Sequence, residues 1–233
     1  MLKKMSIKKI MVSSCAVLIL LVIYLIPDNR KEIELKNNGI EYVYNNLRST
    51  IYLIDSNDYV ARTSISTCNC DMGEKARDLM EGLIIGGGKA SIIPNGFRSI
   101  IPPGTSILNV ELNDKTIMVD FSSEFLDVNE NEEKKMEAII YTLTSIDGID
   151  KVIIKVEGEQ LLKLPKSGDI LPSILDRNYG INKSYDLVTI NDIESYTMYY
   201  VNEYNDNKYY VPVTKYVNGS SVDPIKVIIK ELS

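Results

Sequence analysis

Two stretches of this chain share one layout. Residues 49–65 read STIYLIDSNDYVARTSI, and residues 196–217 read YTMYYVNEYNDNKYYVPVTKYV. Each gives an apolar or aromatic strand, an Asn/Asp turn, and a second strand with a threonine near its end. Residues 223–232, DPIKVIIKEL, then set Ile225, Ile228, Ile229 and Leu232 where the first copy has Ala76, Leu79, Met80 and Leu83, an offset of 149 residues. An internal repeat constrains architecture more than any local motif, because each copy must find the same packing solution. The second copy stops after its first helix. Residues 196–233 with an exposed helix face are too few to bury a core alone, so an incomplete second domain is expected there.

The first copy supplies the full unit. STIYLID and YVARTSI flank a turn around Asn57 and Asp58, a hairpin signal. Met72, Ala76, Leu79, Met80 and Leu83 then form one helical stripe. Asp71 is placed to cap its start, and Gly86, Gly87 and Gly88 to stop it. The segment IIPNGFRSIIPPGTSI is dense in Pro and Gly and predicts a rigid, irregular crossing. SILNVEL and KTIMVDF flank NDK as a second hairpin. Residues 132–146 carry Met136, Ile139, Ile140, Leu143 and Ile146, a second amphipathic helix, followed by the strand KVIIKVEG. The order β-β-α-β-β-α-β predicts an α+β fold, a two-layer α/β sandwich in which both helices cover one sheet face.

Ile10 to Ile26 is an uncharged run of seventeen residues, nearly long enough to span a membrane with help from its flanks. Four lysines precede it, which predicts a cytoplasmic tip and an extracytoplasmic body. A cleaved signal peptide is the alternative, but IYLIP offers no small-x-small cleavage site. Cys15 sits too early in the run for a lipid-modified cysteine. The expected organisation is a basic tip and single transmembrane anchor (1–30), a stalk (31–47), a complete domain (48–165), a linker (166–195) and the incomplete copy (196–233). Residues 1–30 carry a net charge of +4, so the body carries -10 of the total of -6. An acidic body lacks the basic footprint that nucleic-acid binding needs.

No catalytic, cofactor or metal site is expected. The chain has no histidine and three cysteines, so a zinc site would need sulfur or oxygen ligands gathered from elsewhere. Cys68 and Cys70 in STCNCD are two apart, and the strain of so small a ring argues against their pairing. Asp120, Ser122 and Ser123 in MVDFSSEF have no base beside them and no S-x-x-K or G-x-S-x-G context. GLIIGGGKAS follows a helix, whereas a phosphate loop precedes one. Carboxylates are plentiful, but nothing singles out a glycosidase pair. Seven of the fifteen tyrosines lie in 196–217. Tyr199, Tyr200, Tyr209 and Tyr210 read either as a recognition surface or as strand residues of a fuller domain.

The pieces IYLID…YVARTSI, ARDLMEGLIIG, IIPNG…IPPGTSIL, MVDFSSEF and IIYTLTSIDGIDKVIIKVEG, with the restart at Tyr196, resemble the GerMN domain. Sporulation and spore germination proteins of that family carry the domain twice in tandem. The resemblance covers about 50–165, with 196–232 as a partial copy. It implies an extracytoplasmic, membrane-anchored scaffold whose domains are similar to the ring-building modules of secretion machines. It also implies partners among other membrane-anchored sporulation channel proteins, self-association into a ring, and no chemistry. Val119, Asp120, Phe121 and Ser122 match the family signature, which is taken as structural. A cell-wall-acting enzyme or glycan-binding module is the alternative function. The chain departs from the family in keeping a membrane helix where relatives are often lipoproteins, and in its truncated second copy.

Overall fold

The first hairpin is β1 (Leu47–Asp55) and β2 (Val60–Thr67), paired antiparallel along their length. Asp55 closes its turn: Oδ1 accepts the N–H groups of Asn57 and Tyr59 at 2.9 and 2.8 Å, the local bonding that favours Asp in turns. The computed structural model describes residues 17–18, 47–127 and 131–219. Val17 and Leu18 are helical. The rest of the Ile10–Ile26 run, the stalk to residue 46 and the stripe at 223–232 lie outside the described residues. Among the described residues no helix is long and apolar enough to cross a membrane. The described residues from 47 to 219 belong to one unit by their internal contacts.

Helix α1 (Met72–Leu83) starts at Asp71, whose Oδ1 accepts the Glu74 N–H at 3.0 Å. Its stripe of Ala76, Leu79, Met80 and Leu83 is buried against the hairpin and the strands that follow. Gly82 fixes the approach: a Cβ there would lie 2.9 Å from Ile51 Cδ1 and 3.0 Å from Ile65 Cδ1. The Pro/Gly crossing contains the short β3 (Phe97–Arg98), which pairs with the end of β1.

Strands β4 (Ile107–Asn113) and β5 (Thr116–Phe121) form the second hairpin. Helix α2 (Glu132–Leu143) then carries the chain to β6 (Lys151–Val156), which runs parallel to β5, and β7 (Glu159–Gln160) follows. Parallel neighbours need such a crossover. The strands divide into two sheets, where the sequence predicts one. One sheet has the order β4-β5-β6-β7, and the other is built on β3-β1-β2. Helix α2 packs against strands of both sheets. The Thr142 Oγ1 accepts the Tyr52 N–H at 2.9 Å, and the Tyr141 ring meets that of Tyr52 edge-on at 5.5 Å. Burial on nearly every side explains why Lys135 and Glu137 are buried along with its apolar face.

Residues 166–195 do more than connect. Leu171, Leu175 and Ile181 join the main core, and Leu175 bridges to Val152. Strand β8 (Ser184–Asp186) pairs parallel with β10 (Asn207–Asn218), which is antiparallel to β9 (Ile193–Tyr204) over twelve residue pairs. The second hairpin layout is therefore formed, and it extends the sheet of the first copy through the pair Arg62 and Tyr210.

The pairing expectation for the cysteines is overturned. Cys68 and Cys70 form a disulfide, with their Cα atoms 5.3 Å apart. That separation lies within the ordinary range for bridged cysteines. The chain bends here as it leaves β2 for α1, and Asp78 holds the bend by accepting the Cys68 N–H at 3.0 Å. Residue spacing alone does not reveal a bend that brings two Cα atoms to bridging distance.

Candidate interaction surface

The signature residues build a corner at the end of β5. Val119 and Phe121 are fully buried, and alternation along the strand turns Asp120 the other way. Asp120 Oδ1 accepts the Gly158 N–H at 3.0 Å, in the turn between β6 and β7. Ser122 Oγ accepts the Ser106 N–H at 2.9 Å, and the Ser122 N–H donates to the Ser106 carbonyl at 2.9 Å. Phe121 stacks on Phe125 at 4.5 Å. Lys135 lies 4.3 Å above the Phe125 ring and donates to the Phe125 carbonyl at 2.7 Å. Burial holds the Lys135 ammonium down to about 8. The Ser122 hydroxyl in turn donates to a Glu124 carboxylate oxygen at 2.5 Å, and these contacts tie β5, the entry to β4 and the β6–β7 turn into one corner. Phe121→Ala should therefore cost about 3–5 kcal/mol, read as a loss of thermal stability. A loss under about 1 kcal/mol would remove the ring from the core's main supports.

Hairpin β9–β10 presents two unlike faces. Tyr209, Val211 and Met198 are buried on one of them. The Tyr209 hydroxyl donates to Asp55 Oδ2 at 2.9 Å, and its ring meets Phe97 edge-on at 4.9 Å. Burial first, and then the Asp55 bond, pushes the Tyr209 hydroxyl up to about 12. Asn202 Nδ2 also donates to Asp55 Oδ2, at 3.2 Å. The carboxylate that closes the first hairpin turn thus also anchors the second hairpin.

The other face is exposed only toward the hairpin tip, where Val201 and Tyr210 are 61 and 53% exposed. Farther along it Pro212 and Thr214 are buried, and Tyr199 hydrogen-bonds to the core residue Tyr52. Val201 stands directly opposite Tyr210. Of the four tyrosines read as a recognition surface, Tyr210 lies on the exposed part of this face, whereas Tyr199 reaches the core through its hydrogen bond to Tyr52. Tyr200 is half-buried beside Val211, and Tyr209 points inward. Sequence alternation separates the two faces, but only the fold decides which residues of each meet the body.

Asn182, which the sequence did not single out, joins three elements. Its Oδ1 accepts the Val60 N–H at 2.9 Å. Its Nδ2 donates to the carbonyls of Val60 and Pro212, each at 2.7 Å. Its own N–H donates to Glu137 Oε2 on α2 at 2.9 Å. The residue sits at φ 46°, a left-handed conformation that Asn tolerates better than most side chains. That tolerance is the only trace it leaves in the sequence. Among the described residues no cluster of His, Cys, Asp or Glu has a metal-holding arrangement.

Comparison with known proteins agrees with this geometry. The family model described as Germane, sporulation and spore germination, matches residues 50–162. The chain belongs to the GerMN-domain family. It is 36% identical over 188 residues to the spore germination protein GerM of Bacillus subtilis (strain 168), covering 78% of this chain and 50% of that protein. The chain thus spans about half the length of the curated relative it matches. The solved tandem GerMN domains of the sporulation protein GerM from Bacillus subtilis superpose with TM-score 0.72 at 34% identity, over 80% of this chain and 66% of that one. The first GerMN domain of the same protein, solved alone, gives TM-score 0.53 at 33% identity, over 57% of this chain and 98% of that one. The α/β sandwich and its continuation into a second hairpin are therefore the tandem GerMN arrangement.

Proposed function

We propose that this chain is a noncatalytic, envelope-anchored interaction component of a sporulation or spore germination complex. The observation that carries the reading is its likeness to the tandem GerMN domains, which extends beyond the first domain into the β9–β10 hairpin. The signature Val119, Asp120, Phe121 and Ser122 is a structural corner in this reading, since Asp120 and Ser122 each accept a backbone N–H within the fold and Val119 and Phe121 are buried. Tyr210 and Val201, which stand opposite each other near the hairpin tip, offer exposed contact area at small conformational cost to a partner. Residues 10–26 anchor the chain with its body outside the cytoplasm, an environment in which the Cys68–Cys70 bond persists. Partners are other membrane-anchored sporulation proteins, or further copies of the chain in a ring.

Crosslinking of the full anchored chain in membranes of sporulating cells, followed by capture and mass spectrometry, tests this role. Recovery of other membrane-anchored sporulation proteins is expected. Recovery of wall fragments instead, or a hydrolase activity abolished by changing Asp120 or Ser122, would overturn it in favour of action on the cell wall.

A further inference from the structure

Strand β2 is paired with β1 from Val60 to Thr67, but β10 meets its other edge at one residue pair, Arg62 with Tyr210. The two strands diverge from that point. Between them lies a cleft of about 560 Å³, walled by β2, the tip of the β9–β10 hairpin and the Pro/Gly crossing.

The backbone direction of β2 follows from its bonded residues. Val60 turns both its N–H and its carbonyl away from β1, toward Asn182. Strand geometry repeats every second residue, so Arg62, Ser64 and Ser66 present their N–H and carbonyl groups to the same edge. Arg62 meets β10 there. Among the described residues no strand pairs with Ser64 or Ser66 on this edge. Both line the cleft. An open strand edge flanked by side-chain pockets is the arrangement that accepts an added strand.

The walls specify what kind of strand. Phe97 and Tyr204 supply apolar rings, and Tyr204 is held in place by Gly96. A Cβ at Gly96 would lie 2.6 Å from the Tyr204 ring, and its φ of 87° is itself a glycine conformation. The charged residues lining the cleft are Arg48 and Lys208, and no carboxylate is among the described lining residues. This basic lining belongs to a chain of net charge -6. Cations facing an open edge on an acidic body favour an incoming acidic segment and disfavour a basic one.

We propose that the cleft between β2 and the β9–β10 tip binds an extended acidic segment of a partner protein, which adds to β2 alongside Ser64 and Ser66. This surface deepens the interaction role proposed above and rests on it. The occupant has glutamate or aspartate flanking small or β-branched residues, and it spans the few residues of β2 that remain unpaired.

The test measures fluorescence anisotropy of two labelled peptides with the full chain in detergent. One is a repeat of Thr-Glu-Val-Glu, and the other has lysine in place of each glutamate. The acidic peptide should bind, more weakly as salt rises, and the basic one should not. Ser64→Pro removes an N–H from the open edge without touching the β1 ladder, a placement that strands tolerate, and should weaken binding at least about tenfold. Arg48→Glu with Lys208→Glu lies outside that N–H and should weaken the acidic peptide comparably, which keeps the test decisive if the proline variant fails to fold. Equal binding of both peptides, no binding of the acidic one, or unchanged binding by a folded Ser64→Pro chain would overturn the proposal. A wild-type dimer that Ser64→Pro converts to monomer would assign the cleft to a second copy and overturn it as well. Loss of peptide binding alongside intact partner recovery in the membrane crosslinking experiment would remove the cleft and leave the wider role standing.

Discussion

Asn182→Ala is expected to lower stability by about 3–4 kcal/mol, since each buried group left unpaired costs about 1–3 kcal/mol. The deleted amide leaves the Val60 N–H and the carbonyls of Val60 and Pro212 without their partner. Alanine also tolerates the φ of 46° poorly. The loss should be local in its first expression. Amide exchange should rise in β10 and β8 before it rises in β5 and β6, because Asn182 is where α2, β2 and β10 meet. Asn182→Gly separates the two contributions: it relieves the backbone cost and keeps the loss of side-chain bonds. If Asn182→Ala melts within about 1 kcal/mol of wild type, the junction is held by Asp55, Tyr209 and the strand pair alone.

The second large effect is a pH dependence centred on Glu137. Glu137 is 2% exposed on α2, and burial pushes its carboxyl up to about 7 from an ordinary 4.5. The Asn182 N–H, Lys183 and Lys134 oppose that rise, and Glu133 adds to it. A carboxylate raised in the folded state binds more protons folded than unfolded, so acid favours folding across this window. Its contribution is fully present below about 4.5 and is lost as pH rises through about 7. A shift of this size corresponds to roughly 3 kcal/mol as an upper figure. Thermal melts should therefore rise as pH falls from 8 toward 5. Glu137→Gln should flatten that slope and match or exceed the wild type at pH 8. Lys135 works on the alkaline side: its folded value of about 8 lies below the ordinary 10.5, so its contribution returns only as pH climbs past 8. A slope that survives unchanged in Glu137→Gln would place the titrating group elsewhere.

Local features of the first domain were legible because their causes are local. The Asp71 cap, the buried stripe of α1 and the turn at Asn57 and Asp58 are each written within a dozen residues, and each is present. The second hairpin was legible through the repeat, down to the strands on either side of Asn205 and Asp206. What escaped was pairing between distant pieces. The parallel pair β5 and β6, the division into two sheets and the meeting of Arg62 with Tyr210 depend on strands brought together by the fold. Periodicity fixes which face of a strand is apolar, but not which neighbour it finds. Tyr209 shows the limit within the surface itself. Its neighbour Tyr210 has the same side chain and lies outside, and only the position of Asp55 tells them apart. Leu171, Leu175 and Ile181 lie in a segment without regular period, so their burial left no pattern to read.

The meeting of β2 with β10 has a consequence for assembly. Each is the second strand of its own hairpin, and they pair antiparallel, giving the order β1, β2, β10, β9. The two hairpins are thus related by an approximate twofold rotation, not by a step along the sheet. A twofold contact uses the same edge on both partners and is closed once made. A third hairpin cannot repeat that contact, because Arg62 and Tyr210 already meet at its centre; among the described residues, the part of this β2 edge that stays unpaired lies beyond them, at Ser64 and Ser66. Whatever larger assembly these domains enter, it must grow through surfaces other than this pairing of Arg62 with Tyr210.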